Sequence, residues 1–181
     1  MQDPTSYRNN SNYLSTRQYQ DSGNLTSRIQ IHQRFSTGQQ SWYDFVYELA
    51  AIKPETKVLE LGCGAASLWR AVMNRLNENT RVTLSDFSPG MIKDAANNLA
   101  RDKRFHFVCM DSMNVTFPAV TFDLVVANHM LYHVPSVSQV LLQVSGLLNP
   151  GGRLMAATNG PEHMIDLDIL LEKFSQRLDK S

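Results

Sequence analysis

Cysteine is nearly absent, with Cys63 and Cys109 the only two in 181 residues. Two thiols cannot build the disulfide framework of a small secreted domain. Both lie in apolar segments, so they are expected to be buried thiols in a reducing compartment. Excess charge of either sign is also absent, with 17 Lys and Arg against 17 Asp and Glu. The basic surplus that marks most nucleic-acid or anionic-membrane binders is therefore missing. Long apolar runs are missing too. The longest aliphatic stretch, Leu124 to Ala127, falls far short of the ~20 residues that span a bilayer. The first residues lack the basic-then-apolar pattern of a secretory signal. The sequons at Asn24 and Asn114 then carry no weight, and the cytoplasm is the expected setting. No His, Cys and Asp cluster has metal-ligand spacing, no serine nucleophile elbow occurs, and no internal repeat is visible.

What is present is ordinary globular composition, 43% hydrophobic and 19% charged, over about one domain's length. Residues 1–24 contain 13 Ser, Thr, Asn or Gln and few aliphatics, too few to pack a core. They are expected to form a flexible arm, with Tyr7, Tyr13, Leu14 and Tyr19 available to fold over a neighbour. Residues 25–181 are expected to form a single domain.

Within that domain the hydrophobic period switches back and forth. Trp42, Phe45, Val46, Leu49 and Ala50 recur at helical spacing before Pro54, and Lys57 to Leu61 is a short β-type run. Leu68, Val72, Met73 and Leu76 line a second helix, and Arg81 to Ser85 a second strand. Ser88-Pro89 is a helix cap followed by proline at the first helical position, opening a stripe of Ile92, Ala95, Ala96 and Leu99. Phe105 to Met110 and Phe122 to Ala127 are further strands. Val137 to Leu148 is the next helix, ended by Asn149-Pro150-Gly151-Gly152, and Arg153 to Thr158 the fifth strand. Leu167, Leu170, Leu171, Phe174 and Leu178 give a last amphipathic helix. Strands that alternate with helices and are apolar on both faces pair in parallel, with helices on both sides. Right-handed crossovers make this an α/β, Rossmann-like doubly wound sheet, whose ligands bind beyond the carboxyl ends of the strands.

Those strand ends hold the informative residues. After the first strand comes Gly62-Cys63-Gly64-Ala65-Ala66, a turn in which Gly62 permits the bend and Gly64 lets backbone approach a ligand. Asp86 follows the second strand, 24 residues after Gly62, where a carboxylate can accept both hydroxyls of a ribose. Asp111 ends the third strand, and Asn128 and His129 the fourth. Four polar strand ends converging on one crevice point to a nucleoside-bearing ligand. Glu60, two residues before the first glycine, separates the candidates. A carboxylate there repels a pyrophosphate and attracts an ammonium group.

On these residues the chain resembles the class I S-adenosylmethionine-dependent methyltransferases, in particular the small-molecule type with the methyltransferase domain 11/25 pattern. The resemblance is carried by VLELGCG at 58–64, VTLSDFSPGMI at 82–92, FVCMDSM at 107–113, FDLVVANHMLYHV at 122–134 and LLNPGGRLMAAT at 147–158. It implies S-adenosylmethionine as cofactor and S-adenosylhomocysteine as product, with methyl transfer to an O, N or C atom of a small molecule by in-line displacement. Glu60, Gly62, Cys63 and Gly64 would surround the methionine moiety. Asp86 would hold the ribose, Phe87 would pack on the adenine, and Asp111, Ser112 and Met113 would meet the ring. Asn128 and His129 would lie near the methionine end.

Arg34, ahead of the core beside His32, would pair with the methionine carboxylate or else stand as a solvated charge on a helix. His133 is the candidate general base, with His129 and Tyr132 as competitors on the same loop. Its structural alternative is to cap the helix after Pro135. Asp86 could instead flank the Ser88 helix, and Asp111 could cap a turn. Met110, Met113 and Met130 read as core filler. Family members usually continue past the fifth strand into a helix and an antiparallel strand pair; here one helix follows the fifth strand, and the strand pair is expected to be missing. The expectation is a minimal form, a truncated one, or one whose open edge another subunit covers, as in a homodimer. A cofactor-binding module that needs a partner for activity is the alternative to a self-sufficient enzyme, and an NAD-dependent oxidoreductase is disfavoured by Glu60.

Overall fold

A computed structural model describes residues 30, 34–99, 102–160, 162 and 165–178, without the side chains of 167, 168 and 176–178. The expected arm and His32 lie outside these residues. Five parallel strands form one sheet: β1 (Lys57–Leu61), β2 (Arg81–Asp86), β3 (Phe105–Cys109), β4 (Phe122–Asn128) and β5 (Leu148–Ala157). Their order is β3-β2-β1-β4-β5. The order reverses between β1 and β4, which pair Val58 with Leu124 and Glu60 with Val126. The α-helices are α1 (Trp42–Ala50), α2 (Ser67–Val72), α3 (Pro89–Leu99), α4 (Val137–Leu147) and α5 (Ile165–Leu178). No described helix is long and apolar enough to cross a membrane.

The strand period of two divides the core between the faces. Val58, Val82, Leu84, Leu124 and Val126 pack with residues of α1, α2 and α3. Leu59, Leu61 and Val125 pack with Val140, Val144 and Leu147 of α4 on the other side. Glu60 shares the parity of Val58, and this alternation turns it toward α2.

Several local expectations are corrected. Helix α1 buries Val46 and Ala50 and half-buries Tyr43 and Tyr47, while Trp42, Phe45 and Leu49 are exposed. Apolar residues occupy most of that helix's circumference, so periodicity alone did not choose the buried stripe. The second helix tightens at Met73–Arg75 into a 3₁₀ turn. The fifth strand begins at Leu148 rather than Arg153, because its pairing with β4 resumes across an irregularity between Phe122 and Leu124. Cys109 is exposed at the end of its strand, whereas Cys63 is buried. In α5 the described apolar side chains Ile165, Ile169, Leu170, Leu171 and Phe174 are exposed.

Ser88 caps α3 as the sequence suggested. Its Oγ accepts from the Met91 amide at 3.3 Å, and its carbonyl accepts from Ile92. Ser88→Ala should cost about 1 kcal/mol in urea unfolding, the usual loss for a helix cap.

Candidate functional site: the crevice between the ends of β1 and β4

The glycine turn after β1 is built by backbone strain and by contact. Gly62 has φ +67°, and a Cβ there would stand 2.7 Å from the Cβ of Met130. Gly64 has φ 54° and Ala66 φ 60°, both in the left-handed region. Ala66 tolerates this fully buried, at the start of α2. Two side chains brace the turn. Asn98 of α3 donates from Nδ2 to the Ala65 carbonyl at 2.9 Å, and Asp86 accepts from the Gly64 N–H at 2.9 Å.

Asp86 therefore spans two elements. One carboxylate oxygen takes the Gly64 amide, and the other takes the Ser88 amide at 2.8 Å. The Phe87 amide also approaches this carboxylate, which keeps acceptor capacity for a ligand. Burial raises the proton affinity of Asp86 despite the amide bonds that oppose it. Cys63 contributes backbone. Its N–H reaches the Ser85 carbonyl at 2.9 Å and its carbonyl accepts from Ala66. Burial, with Glu60 and Asp86 nearby, holds its thiol well above the ordinary range, so it stays protonated.

Glu60 is the buried acid of the site, 3% exposed. Its Oε2 accepts from the Trp69 indole N–H at 2.5 Å, and Oε1 from Asn128 Nδ2 at 3.4 Å. Burial pushes its pKa up to about 7. The bonds from Trp69 and Asn128 pull it down, and Asp86 raises it further. Asn128 Oδ1 is buried with no hydrogen-bond partner. The crevice thus contains two acceptors in need of a donor, one of them an orphan whose burial is costly.

On the far wall, Asp111 Oδ1 accepts from the Met113 amide at 2.8 Å, so Asp111 caps its own turn. Gln139 and Gln143 of α4 hold the Met113 carbonyl at 3.1 and 2.5 Å, and Gln143 also accepts from the Val115 amide. Ser112 is buried in this loop, and Met110, Met113 and Met130 pack on the α4 side of the core. The Phe87 ring is 42% exposed beyond Asp86.

After β4, His129 adopts φ 52° and donates its N–H to the Ala157 carbonyl at 2.9 Å. Its ring lies 5.2 Å from Trp42 and 6.5 Å from Tyr132, which is 4.4 Å from His133. His133 ends a 3₁₀ turn, and the helix beyond is capped by Ser136 instead. Arg34 is exposed with its guanidinium 5.5 Å from the Phe35 ring centroid, and no described contact joins it to the crevice. Among the described residues no group of three His, Cys, Asp or Glu side chains could hold a metal ion. A hollow of about 670 Å³ lies away from the crevice, beside Met73, Leu76 and Arg104. Asp102 and Arg104 there neutralise one another.

The sequence profile of the methyltransferase domain family matches residues 59–156, which include the end of β1, the glycine turn, Asp86 and the loop after β4. The chain belongs to this family. Over 117 residues the methyltransferase domain is 29% identical to the ubiquinone/menaquinone biosynthesis C-methyltransferase UbiE of Hydrogenovibrio crunogenus, covering 63% of this chain and 46% of that one. It is 31% identical over 137 residues to the highly reducing polyketide synthase aurA of Calcarisporium arbuscula, covering 72% of this chain and 6% of the synthase. The crystal structure of the CurJ carbon methyltransferase superposes with a TM-score of 0.61 at 20% identity, over 86% of this chain and 44% of that one. The domain thus spans about half the length of the curated methyltransferases it matches.

Sequence reasoning missed Trp69, Asn98, Gln143 and the approach of Trp42 to His129. Trp69 had a signal in its type, since an indole N–H in a core needs a partner. The others depend on which helix faces which loop.

Proposed function

We propose that this domain binds S-adenosylmethionine at the β1–β4 crevice and directs its methyl group to a small-molecule acceptor. The observation that carries the reading is the unpartnered Asn128 Oδ1 beside the Glu60 carboxyl. A ligand with a cationic, multiply donating end fits two such acceptors. A pyrophosphate would meet Glu60 and Asp86 with charge of the same sign. Glu60 and Asn128 would receive the ammonium end, Asp86 the ribose hydroxyls, and Phe87 with the Asp111–Met113 loop the adenine. When bound, the cofactor supplies an electrophilic methyl group. The chain's own part is to align the acceptor, exclude water and, where the acceptor must lose a proton, accept it at an imidazole of His133 or His129.

Carbon is the favoured acceptor atom, because UbiE is named a C-methyltransferase and CurJ a carbon methyltransferase. We place the protein in the cytoplasm, where the exposed Cys109 thiol stays reduced. Residues 25–181 act as one domain with 1–24 as an arm. Activity that depends on a partner or a second copy covering β5 is the competing reading, favoured by the position of β5 at the edge of the sheet.

S-adenosylhomocysteine should raise the melting temperature and NAD should not. Asp86→Ala should weaken S-adenosylhomocysteine binding by about 10- to 100-fold in calorimetry, the loss of two charge-assisted hydrogen bonds. Stabilisation by NAD alone would overturn the cofactor assignment. Labelled S-adenosylmethionine with a panel of phenols, amines and 1,3-dicarbonyl compounds tests transfer itself. Binding without turnover on any of them would favour the partner-dependent reading.

A further inference from the structure

Trp69 and Glu60 are 1% and 3% exposed, on different elements, and joined by a 2.5 Å hydrogen bond. We propose that Trp69 is a positioning residue for the cofactor site. Its indole N–H immobilises one oxygen of Glu60, so that the other is presented, ionised and correctly aimed, to the ammonium end of the cofactor. The proposal rests on the crevice reading above.

The geometry follows from the turn. Helix α2 starts at Ser67, immediately beyond the left-handed Ala66, and places Trp69 in its first turn against the face of β1 that carries Val58 and Glu60. The ring packs edge-on to Phe105 at 6.1 Å. Leucine or phenylalanine would satisfy that apolar contact. The indole adds a donor, and the donor reaches Glu60. A glutamate side chain has three rotatable bonds and no fixed direction of its own. Anchoring Oε2 on Trp69 leaves only Oε1, next to Asn128.

Trp69 also biases the charge. An N–H donor stabilises the carboxylate over the acid. Among the described residues, the ionisable groups near Glu60 are Asp86, which opposes its ionisation from the end of β2, and the protonated Cys63 thiol in the turn. The groups that bond it from β4 and α2, Asn128 and Trp69, are neutral. Without the indole donor, Glu60 would stay protonated to higher pH.

The chain has two tryptophans, so in a Trp42→Phe background the emission of Trp69 is observed alone. That emission should titrate with a midpoint near the Glu60 pKa of about 7, and the transition should vanish in Glu60→Gln. Trp69→Phe should weaken S-adenosylhomocysteine binding about tenfold at pH 7. The pH at which affinity levels off should rise by about one, so that most of the loss is regained near pH 8.5. If Trp69→Phe fails to fold, benzothienylalanine incorporated at position 69 in the Trp42→Phe background keeps the shape and removes only the N–H. It should reproduce the pH displacement. An equal loss at every pH, or an unchanged profile, overturns the positioning role while leaving the crevice reading intact. No binding by the unmodified chain at any pH overturns both.

Discussion

Glu60→Gln should stabilise the protein relative to the parent chain increasingly as pH rises from about 4.5 to about 7. Glu60 binds its proton more tightly in the folded state, with a pKa of about 7 against 4.5 for a free side chain. A group whose folded pKa is raised contributes stability that is complete below the unfolded value and lost as pH climbs to the folded one. Each factor of ten in proton affinity is about 1.4 kcal/mol, so this loss totals roughly 3 kcal/mol. The glutamine variant has no proton to lose at this position. Its side-chain carbonyl can still accept from Trp69, and its amide can donate to Asn128 Oδ1, which has no partner in the parent.

Asp86, raised by burial, adds a slope of the same sign in both proteins. Asp102 works in the opposite direction. Arg104 holds its carboxyl below the ordinary value, so its contribution is present above about pH 3.8 and lost in acid. Urea unfolding at pH 4, 5, 6, 7 and 8 should show the gap between the two chains smallest at the acid end, widening up to about pH 7 and level beyond it. Parallel curves would mean that Glu60 is not a buried, proton-hungry acid. The same substitution removes the negative partner for a cationic ligand, so stability gained and affinity lost should appear together. That is the expected signature of an acid kept for binding rather than for folding.

Gly62→Ala should destabilise the domain by about 2–5 kcal/mol and disturb the crevice. The left-handed backbone costs an alanine about 1–2 kcal/mol. Overpacking adds about 1–3 kcal/mol, because the new Cβ would approach the Met130 Cβ to 2.7 Å. Met130 Cβ is tied directly to the backbone after His129, itself at φ 52°, and cannot swing away as a side-chain tip could. Adding Met130→Gly should recover the steric part and leave the conformational part. Chemical denaturation of the single and double variants measures both. A Gly62→Ala protein as stable as the parent would mean that this turn is looser than its contacts indicate.

The sheet was legible because parallel buried strands are apolar on both faces, and Leu124 to Ala127 shows that character without any partner. The glycine turn and the carboxylate after β2 were legible because a bend of that kind needs glycine and a polar strand end stands out against its neighbours. The buried side of α1 was not. Trp42, Tyr43, Phe45, Val46, Tyr47 and Leu49 leave several equivalent stripes, and docking on Leu68, Val72 and Met155 chose among them. The exposure of Cys109 depends on its place at the end of an edge strand, which the order of strands decides. Asp111 illustrates an ambiguity that sequence leaves open, since one carboxylate oxygen caps the turn and the other has no described partner.

The sequence by itself determined the parallel α/β architecture, the bend at Gly62 and the presence of an acid two residues before it, because periodicity and backbone permissiveness are local properties. Only the tertiary structure decided the state of that acid. Burial, the Trp69 indole and the Asn128 amide come from three separate elements, and a proton's affinity for Glu60 depends on all of them at once.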